Sequence, residues 1–246
     1  MRKIVIVGGV AGGATAAARL RRLDEHAEIV MFERGEHISF ANCGLPYHIG
    51  GAVADREDLL LQTPESFRRR FNVDVRAQSE ALSIDRAAKT VTVKDGRTGE
   101  TYAEAYDKLI LSPGGAPIRP PVEGIDSRCV FTLRSVADTD NIMAFIEENG
   151  PRGAAIVGGG FIGIEMAENL KQVGLDVSLI ELSDQVIPPL DIDMACDVHR
   201  HLWEKGVALY LNNGLKKITE HSDGLTIGLQ NGALEEIGRA SCRERV

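Results

Sequence analysis

The chain has 246 residues, of which 43% are hydrophobic and 26% charged, and these values fit one large or two modest soluble domains. A formal net charge of −8 argues against a nucleic-acid-binding surface. No apolar run approaches the roughly 20 residues of a membrane-spanning helix. The four cysteines lack CxxC and metal-ligand spacing, so we predict free thiols, no metal site and a cytoplasmic location.

A dinucleotide-binding βαβ unit is predicted at the start of the chain. KIVIVGGVAGGATAAARL, residues 3–20, contains an apolar strand, a glycine-rich turn and an alanine-rich helix, and the next apolar strand, EIVMFE, ends at Glu33. The backbone of such a turn lets the pyrophosphate of a dinucleotide come close, and the acid at the end of the next strand accepts hydrogen bonds from a ribose. Gly8 and Gly13 match the first and third glycines of the fingerprint, and Val10 replaces the middle one.

The segment SFANCGLPYHIGG, residues 39–51, follows shortly afterwards and contains Cys43. Cys43 lies at the start of a predicted helix, whose N-terminus can stabilise a thiolate. A lone cysteine is nevertheless more often a small buried hydrophobic residue. The residues alone therefore leave a redox role and a structural role open.

A β-meander is predicted for residues 81–105, because apolar alternation is interrupted there by the turn-forming pairs DG and TG. KLILSPGGAPIRPP, residues 108–121, predicts a further buried strand and a turn rich in glycine and proline.

The second half of the chain repeats the plan of the first. GAAIVGGGFIGIEMAENL begins at residue 153, and the following strand, DVSLIE, ends at Glu181. Gly158, Gly160 and Gly163 complete a GxGxxG fingerprint. The carboxylate of Glu181 can bind a ribose diol and would repel a 2′-phosphate, so we predict NADH in preference to NADPH.

A helix from about Asp193 to Lys205 and a strand in GVALYL are predicted next. His199 and His201 show no metal-ligand spacing and are interpreted as surface residues. The last residues, EIGRASCRERV, have no apolar periodicity and back-translate to a common sequencing adapter. We expect the native sequence to end near Glu235, which would make Cys242 extraneous.

With two such units in one chain, residues 3–231 resemble the pyridine nucleotide–disulfide oxidoreductase superfamily. SFANCGLPY resembles its coenzyme A-disulfide reductase branch, as do GGVAGG, LSPGGAPIRPP, FTLR and GGGFIGIE. The resemblance implies an FAD-dependent NAD(P)H oxidoreductase that forms a homodimer as a full-length protein. The implied fold class is α/β, with two Rossmann-like dinucleotide-binding units, both incomplete, and an inserted β-meander.

The resemblance also implies the site residues, with Cys43 as the catalytic residue. It implies FAD contacts at Gly8, Val10, Ala11, Gly13, Glu33, Arg34, Ser112, Gly114 and Arg134. It implies contacts with NADH at Gly158, Gly160, Phe161, Ile162, Gly163, Glu165 and Glu181. It implies coenzyme A contacts at Thr15, Arg19, Arg22, Ser39 and Asn42. Phe161 would cover the flavin, and Glu165 would lie beside the nicotinamide.

Dithiol members of the superfamily carry Cys-x4-Cys, which would require a cysteine where this chain has His48. Cys43 would therefore cycle with an external partner, as a mixed disulfide, a persulfide or a sulfenic acid. The favoured substrate is coenzyme A disulfide or a persulfide or polysulfide. The alternatives are an NADH oxidase or peroxidase that uses a cysteine sulfenic acid, and a truncated, catalytically incompetent fragment.

The predicted domain organisation follows from these assignments. Residues 1–118 form the first part of an FAD-binding domain, 119–150 a connecting segment, 151–235 an incomplete NAD(P)H-binding domain, and 236–246 a non-native tail.

Overall fold

The computed structural model describes residues 2–222 and 224–238, which form two compact units. The first unit contains the residues up to Asn42 together with Arg56–Ala116. The second contains Cys43–Asp55 and the residues from Pro117 onward. The short segment that begins at Cys43 therefore folds with the second unit.

The described part of the chain contains six α-helices and thirteen strands. The helices are α1 (Gly12–Leu23), α2 (Leu45–Ile49), α3 (Pro64–Phe71), α4 (Val136–Asn149), α5 (Phe161–Gln172) and α6 (Ile192–Glu204). The strands are β1 (Lys3–Val7), β2 (Glu28–Phe32), β3 (Asp74–Arg76), β4 (Ser79–Asp85), β5 (Thr90–Asp95), β6 (Thr101–Ala105), β7 (Lys108–Leu111), β8 (Gly153–Val157), β9 (Asp176–Ile180), β10 (Val207–Tyr210), β11 (Leu215–His221), β12 (Gly224–Leu229) and β13 (Leu234–Gly238).

The first unit is built on a parallel sheet of strand order β3-β2-β1-β7. Successive side chains of β1 point to opposite faces of the sheet, and both faces are covered by a core. Ile4 and Ile6 pack in a core that contains the small residue Ala17 of α1. Val5 packs in a second core with Val91 of the antiparallel meander β4-β5-β6.

An ion network links the meander to the parallel sheet. The guanidinium of Arg76 donates to Oε2 of Glu104 at 2.5 Å and to the hydroxyl of Tyr102 at 3.1 Å. The ammonium of Lys3 lies 2.5 Å from Oε1 of the same carboxylate. Burial acts to raise the pKa of Glu104, but the hydrogen bonds from Lys3 and Arg76 outweigh it and hold that pKa below its usual value.

The second unit contains a parallel sheet of order β10-β9-β8 and an antiparallel sheet of order β11-β12-β13. Leu179 of β9 lies in a core with Ala167 of α5 and Leu202 of α6. Ile49 of α2 belongs to the same core, and α2 packs against both α4 and α5.

The structure confirms the predicted α/β fold class, with two Rossmann-like units and a meander. The predicted helix near residues 193–205 is α6, and GVALYL provides β10. The interpretation of His199 as a surface residue is wrong, since only 6% of it is exposed. In the predicted tail, residues 236–238 belong to β13, and Cys242 lies outside the described residues.

None of the helices in the part of the chain that the structure describes is long and apolar enough to cross a membrane. Within residues 2–222 and 224–238, no group of three or more histidine, cysteine or acidic side chains is arranged to hold a metal ion.

Candidate functional site

The first glycine-rich turn lies between β1 and α1. Gly8 has φ +97°, a conformation that side chains disfavour, and a Cβ there would clash with the carbonyl of Ser112. A Cβ on Gly13 would clash with the carbonyl of Gly8. Val10 and Ala11 lie in the turn between these glycines, directly before α1. The turn is therefore tight enough for a ligand to approach its backbone.

The second glycine-rich turn has the same construction. Gly158 has φ +109°, and a Cβ on Gly163 would clash with the carbonyl of Gly158. Gly160 is the N-cap of α5, and a Cβ there would meet no heavy atom within 4 Å. The first turn of α5 thus begins beside open space, an arrangement that suits a pyrophosphate.

The acids at the strand ends are held by these turns. Oε2 of Glu181 accepts a hydrogen bond from the backbone of Gly159 at 2.5 Å, and Oε1 accepts one from Ser183 at 2.8 Å. Glu33 accepts the equivalent bond from Gly9 at 2.8 Å. Burial acts to raise the pKa of Glu181, but the backbone hydrogen bonds, first from Ser183 and then from Gly159, outweigh it and lower that pKa.

The remaining predicted FAD contacts are divided between the units. Ser112 lies against the first turn, and Gly114, with φ +73°, follows in the loop after β7. Arg34 is exposed and lies 3.6 Å from Glu80 in an ion pair. Arg134 belongs to the second unit and lies just before the start of α4, where its backbone N–H donates to the carboxylate of Asp138.

The first turn of α5 carries two of the predicted nicotinamide contacts. Phe161 is 64% exposed and Ile162 58% exposed. Glu165 lies one helical turn further on, and its negative charge is the main cause of a raised pKa at Tyr47 of α2. The side of α5 that bears Glu165 therefore faces α2.

Cys43 lies in a short 3-10 turn, Asn42–Gly44, that leads directly into α2. Its thiol is free and exposed, as the redox interpretation requires. Gly50, at the end of α2, packs so closely on α5 that a Cβ there would clash with the side chain of Asn169. This contact attaches the cysteine-bearing segment to α5, the helix that follows the second glycine-rich turn.

Position 48, where a Cys-x4-Cys pattern would place a second cysteine, is filled by a buried histidine. His48 is 6% exposed, and its Nδ1 lies 2.7 Å from the carbonyl oxygen of Val53. The buried Oδ1 of Asn42, the residue before Cys43 in the sequence, finds no hydrogen-bond partner among the described residues. A buried acceptor without a partner is one that a donor group of a ligand could satisfy.

The predicted coenzyme A contacts on α1 share an exposed face. Thr15, Arg19 and Arg22 are spaced as neighbours on a helix, and all three are exposed. Neither Arg19 nor Arg22 makes an ion pair with a described residue. By contrast, Arg21 donates to the backbone carbonyls of Phe71 and three other residues. The cluster thus leaves two guanidinium groups available to a phosphate.

A loop that follows the acid in both units was not predicted from the sequence. Ser39 has φ +46° and donates its backbone N–H to the carbonyl of Gly9 at 3.0 Å. Ile187 has φ +48° and donates in the same way to the carbonyl of Gly159 at 2.8 Å. The sequence contains a signal for this loop, because Ser39 follows Glu33 at the same separation at which Ile187 follows Glu181.

Comparison with known proteins identifies the family of this chain. The family model for pyridine nucleotide-disulphide oxidoreductases matches residues 2–239. A coenzyme A disulfide reductase of Staphylococcus haemolyticus is 42% identical over 230 residues, which are 94% of this chain and 52% of that protein. The chain thus spans about half the length of this curated relative.

Two solved structures are also similar to this chain. The reduced CoADR-RHD of Bacillus anthracis is 52% identical, with a TM-score of 0.93 over 96% of this chain and 42% of that protein. An NAD-dependent persulfide reductase from A. fulgidus is 36% identical, with a TM-score of 0.91 over 96% of this chain and 44% of that protein.

Proposed function

Since this chain belongs to the pyridine nucleotide-disulphide oxidoreductase family, we propose that the protein reduces coenzyme A disulfide or a persulfide through Cys43. The observation that carries this proposal is the exposed thiol of Cys43 combined with the buried imidazole of His48. A single thiol at this place has no neighbouring cysteine at position 48 with which to form a disulfide. Its oxidised form therefore requires a sulfur or oxygen atom from another molecule.

The family membership confirms FAD and NAD(P)H as the cofactors. When bound, FAD accepts a hydride from the nicotinamide and supplies two electrons to a sulfur–sulfur bond. We assign FAD to the first unit, where Gly8 and Gly13 admit the diphosphate and Glu33 binds a ribose. We assign NADH to the second unit, where Gly160 and Glu181 have the corresponding tasks.

Cys43 would act as the nucleophile of the reaction. Its thiolate attacks one sulfur of the substrate, a mixed disulfide forms, and the first thiol leaves. Two electrons then release the second thiol and regenerate the thiolate. The exposed position of Cys43 permits this attack, and its attachment to α5 through Gly50 fixes the segment from which it acts.

Coenzyme A is the favoured part of the substrate because of α1. Arg19 and Arg22 present two guanidinium groups on one exposed face, and such groups bind phosphate through charge-assisted hydrogen bonds. Thr15 adds a hydroxyl to the same face. The names of the two reductases that resemble this chain agree with a disulfide or persulfide substrate.

The full-length protein is expected to form a homodimer, as the family resemblance implies. A cytoplasmic location is expected because cysteines that lack disulfide partners are typical of a reducing compartment.

The proposal is tested by measuring NADH oxidation by the purified flavoprotein with coenzyme A disulfide, with coenzyme A persulfide, and with oxygen or hydrogen peroxide. We expect turnover with a sulfur acceptor to exceed turnover with oxygen or peroxide. Turnover with oxygen or peroxide alone would instead indicate the oxidase or peroxidase alternative. A purified chain of residues 1–246 without flavin absorbance would favour the incompetent-fragment hypothesis for that polypeptide.

A further inference from the structure

A buried imidazole anchors the loop that follows Glu181. Nε2 of His199, on α6, accepts a hydrogen bond from the backbone N–H of Val186 at 3.1 Å. Val186 is fully buried, and His199 is 6% exposed. Because Nε2 is the acceptor, it carries no proton in this arrangement. The bond satisfies a backbone donor that water does not reach.

The residue after Val186 is hydrogen-bonded to the second glycine-rich turn. Ile187 donates its backbone N–H to the carbonyl of Gly159 at 2.8 Å, and Gly159 donates its own N–H to Glu181. A Cβ on Gly159 would lie 3.0 Å from Cγ1 of Val186 and 3.2 Å from Cβ of Glu181. The turn is therefore clamped between the acid and the loop.

The loop is held in a conformation that its sequence does not favour. Ile187 has φ +48°, which a β-branched residue rarely adopts. Such a residue stays in this region only when surrounding contacts enforce it, and strain of this kind is concentrated at functional sites. The bonds of Val186 to His199 and of Ile187 to Gly159 are contacts of this kind.

We propose that His199 is a positioning residue for the nicotinamide nucleotide, holding the loop after Glu181 against the Gly158–Gly163 turn. The inference rests on the proposed function of the second unit. Without the imidazole acceptor, the N–H of Val186 is buried and unsatisfied, and the loop can relax away from Gly159. Gly159 and Glu181 then lose the fixed arrangement that binds pyrophosphate and ribose.

The first unit shows that the arrangement is used twice. Ser39 adopts the same backbone conformation and makes the same bond to Gly9, and the side chain of Ile38 lies where Val186 lies against its own turn. The first loop leads into the cysteine segment, and the second leads into α6. The anchor from α6 therefore serves the second dinucleotide site, and its loss is expected to leave FAD binding intact.

The test is a calorimetric titration of the complete, oxidised flavoprotein with NAD+, which binds without reducing the flavin. His199→Leu removes the acceptor and should raise the Kd for NAD+ about tenfold, equivalent to about 1.4 kcal/mol. His199→Gln, whose amide oxygen reaches the place of Nε2, should restore the Kd to within about twofold of the original value. His199→Asn, whose shorter amide ends near Nδ1, should behave like His199→Leu. His201→Leu, an exposed histidine on the same helix, is the matched control.

Steady-state kinetics separate positioning from general stability. The KM for NADH should rise in His199→Leu and His199→Asn while kcat and FAD content stay unchanged. Equal Kd values for NAD+ in the original protein, His199→Leu and His199→Asn would overturn the inference, even if the melting temperature fell. If His199→Leu did not fold, the Gln and Asn variants would decide by the same comparison. An original protein that does not bind NAD+ would overturn the proposed function of the second unit and this inference with it.

Discussion

On the proposed function, a single side chain, Glu181, selects the nucleotide. Its carboxylate oxygens accept hydrogen bonds from Gly159 and Ser183, which fix its orientation at the end of β9. Because the pKa of Glu181 is lowered, the group is charged at neutral pH and would repel the 2′-phosphate of a nucleotide bound there.

We therefore predict that kcat/KM for NADH exceeds that for NADPH by at least about tenfold, a difference of about 1.4 kcal/mol in transition-state stabilisation. Glu181→Gln should reduce this ratio, because it removes the charge while conserving the size of the side chain. Asp184→Asn, an exposed acid in the same loop, should leave the ratio unchanged. A ratio that favours NADPH in the unaltered protein would show that Glu181 does not bind the ribose.

His199 provides a pH prediction at the same scale. Burial lowers the pKa of its imidazole in the folded protein. As the pH falls below the unfolded value of about 6.5, the unfolded chain takes up a proton that the folded chain resists, so stability is lost. This contribution is fully present above about pH 6.5 and is lost as the pH falls through the lower folded pKa.

The measurement compares melting temperatures at pH 7.5 and pH 5.5. The decrease at the lower pH should be smaller in His199→Gln than in the unaltered protein, whereas the exposed control His201→Gln should retain the full decrease. Identical pH dependence in all three proteins would show that His199 does not contribute to the acid sensitivity of the fold.

At the scale of elements, α2 is attached to α5 through a glycine. Gly50 has φ −75° and ψ −7°, a conformation that alanine adopts without strain. A Cβ there would nevertheless lie 2.7 Å from Cγ of Asn169, which is 1% exposed. Asn169 is in turn fixed by a hydrogen bond from its Nδ2 to the carbonyl of Glu165 at 2.7 Å. The small residue therefore serves helix packing rather than backbone geometry.

Gly50→Ala is expected to destabilise the protein by about 1–3 kcal/mol, because the added methyl group overpacks this contact. Asn169→Ala alone should also be destabilising, since it removes a buried amide and its hydrogen bond. The double variant should lose less than the sum of the two single losses, as contacting residues do in a double-mutant cycle. Strictly additive losses in denaturant unfolding would argue against the contact.

At the scale of the whole molecule, local patterns predicted most of the architecture. Apolar runs, glycine spacing and a terminal acid are properties of short segments, and they identified both dinucleotide turns and the meander. The sequence did not show that the segment beginning at Cys43 folds with the second unit, because the contact between Gly50 and Asn169 joins distant parts of the chain. The burial of His199 was also not predicted, because the hydrogen bond between its imidazole and the backbone of Val186 leaves no local pattern in the sequence.

The proposed chemistry divides tasks among separate parts of the molecule, and Cys43→Ser tests this division. A serine hydroxyl cannot form the sulfur–sulfur bond that holds the substrate, so turnover with disulfide or persulfide should fall to the background rate. FAD content and NAD+ affinity should stay unchanged, because both glycine-rich turns and their acids are intact. Cys196→Ser, which alters the other exposed cysteine among the described residues, should retain full activity. Normal disulfide turnover in Cys43→Ser would remove Cys43 from the mechanism, whereas loss of flavin would show that this segment supports FAD binding.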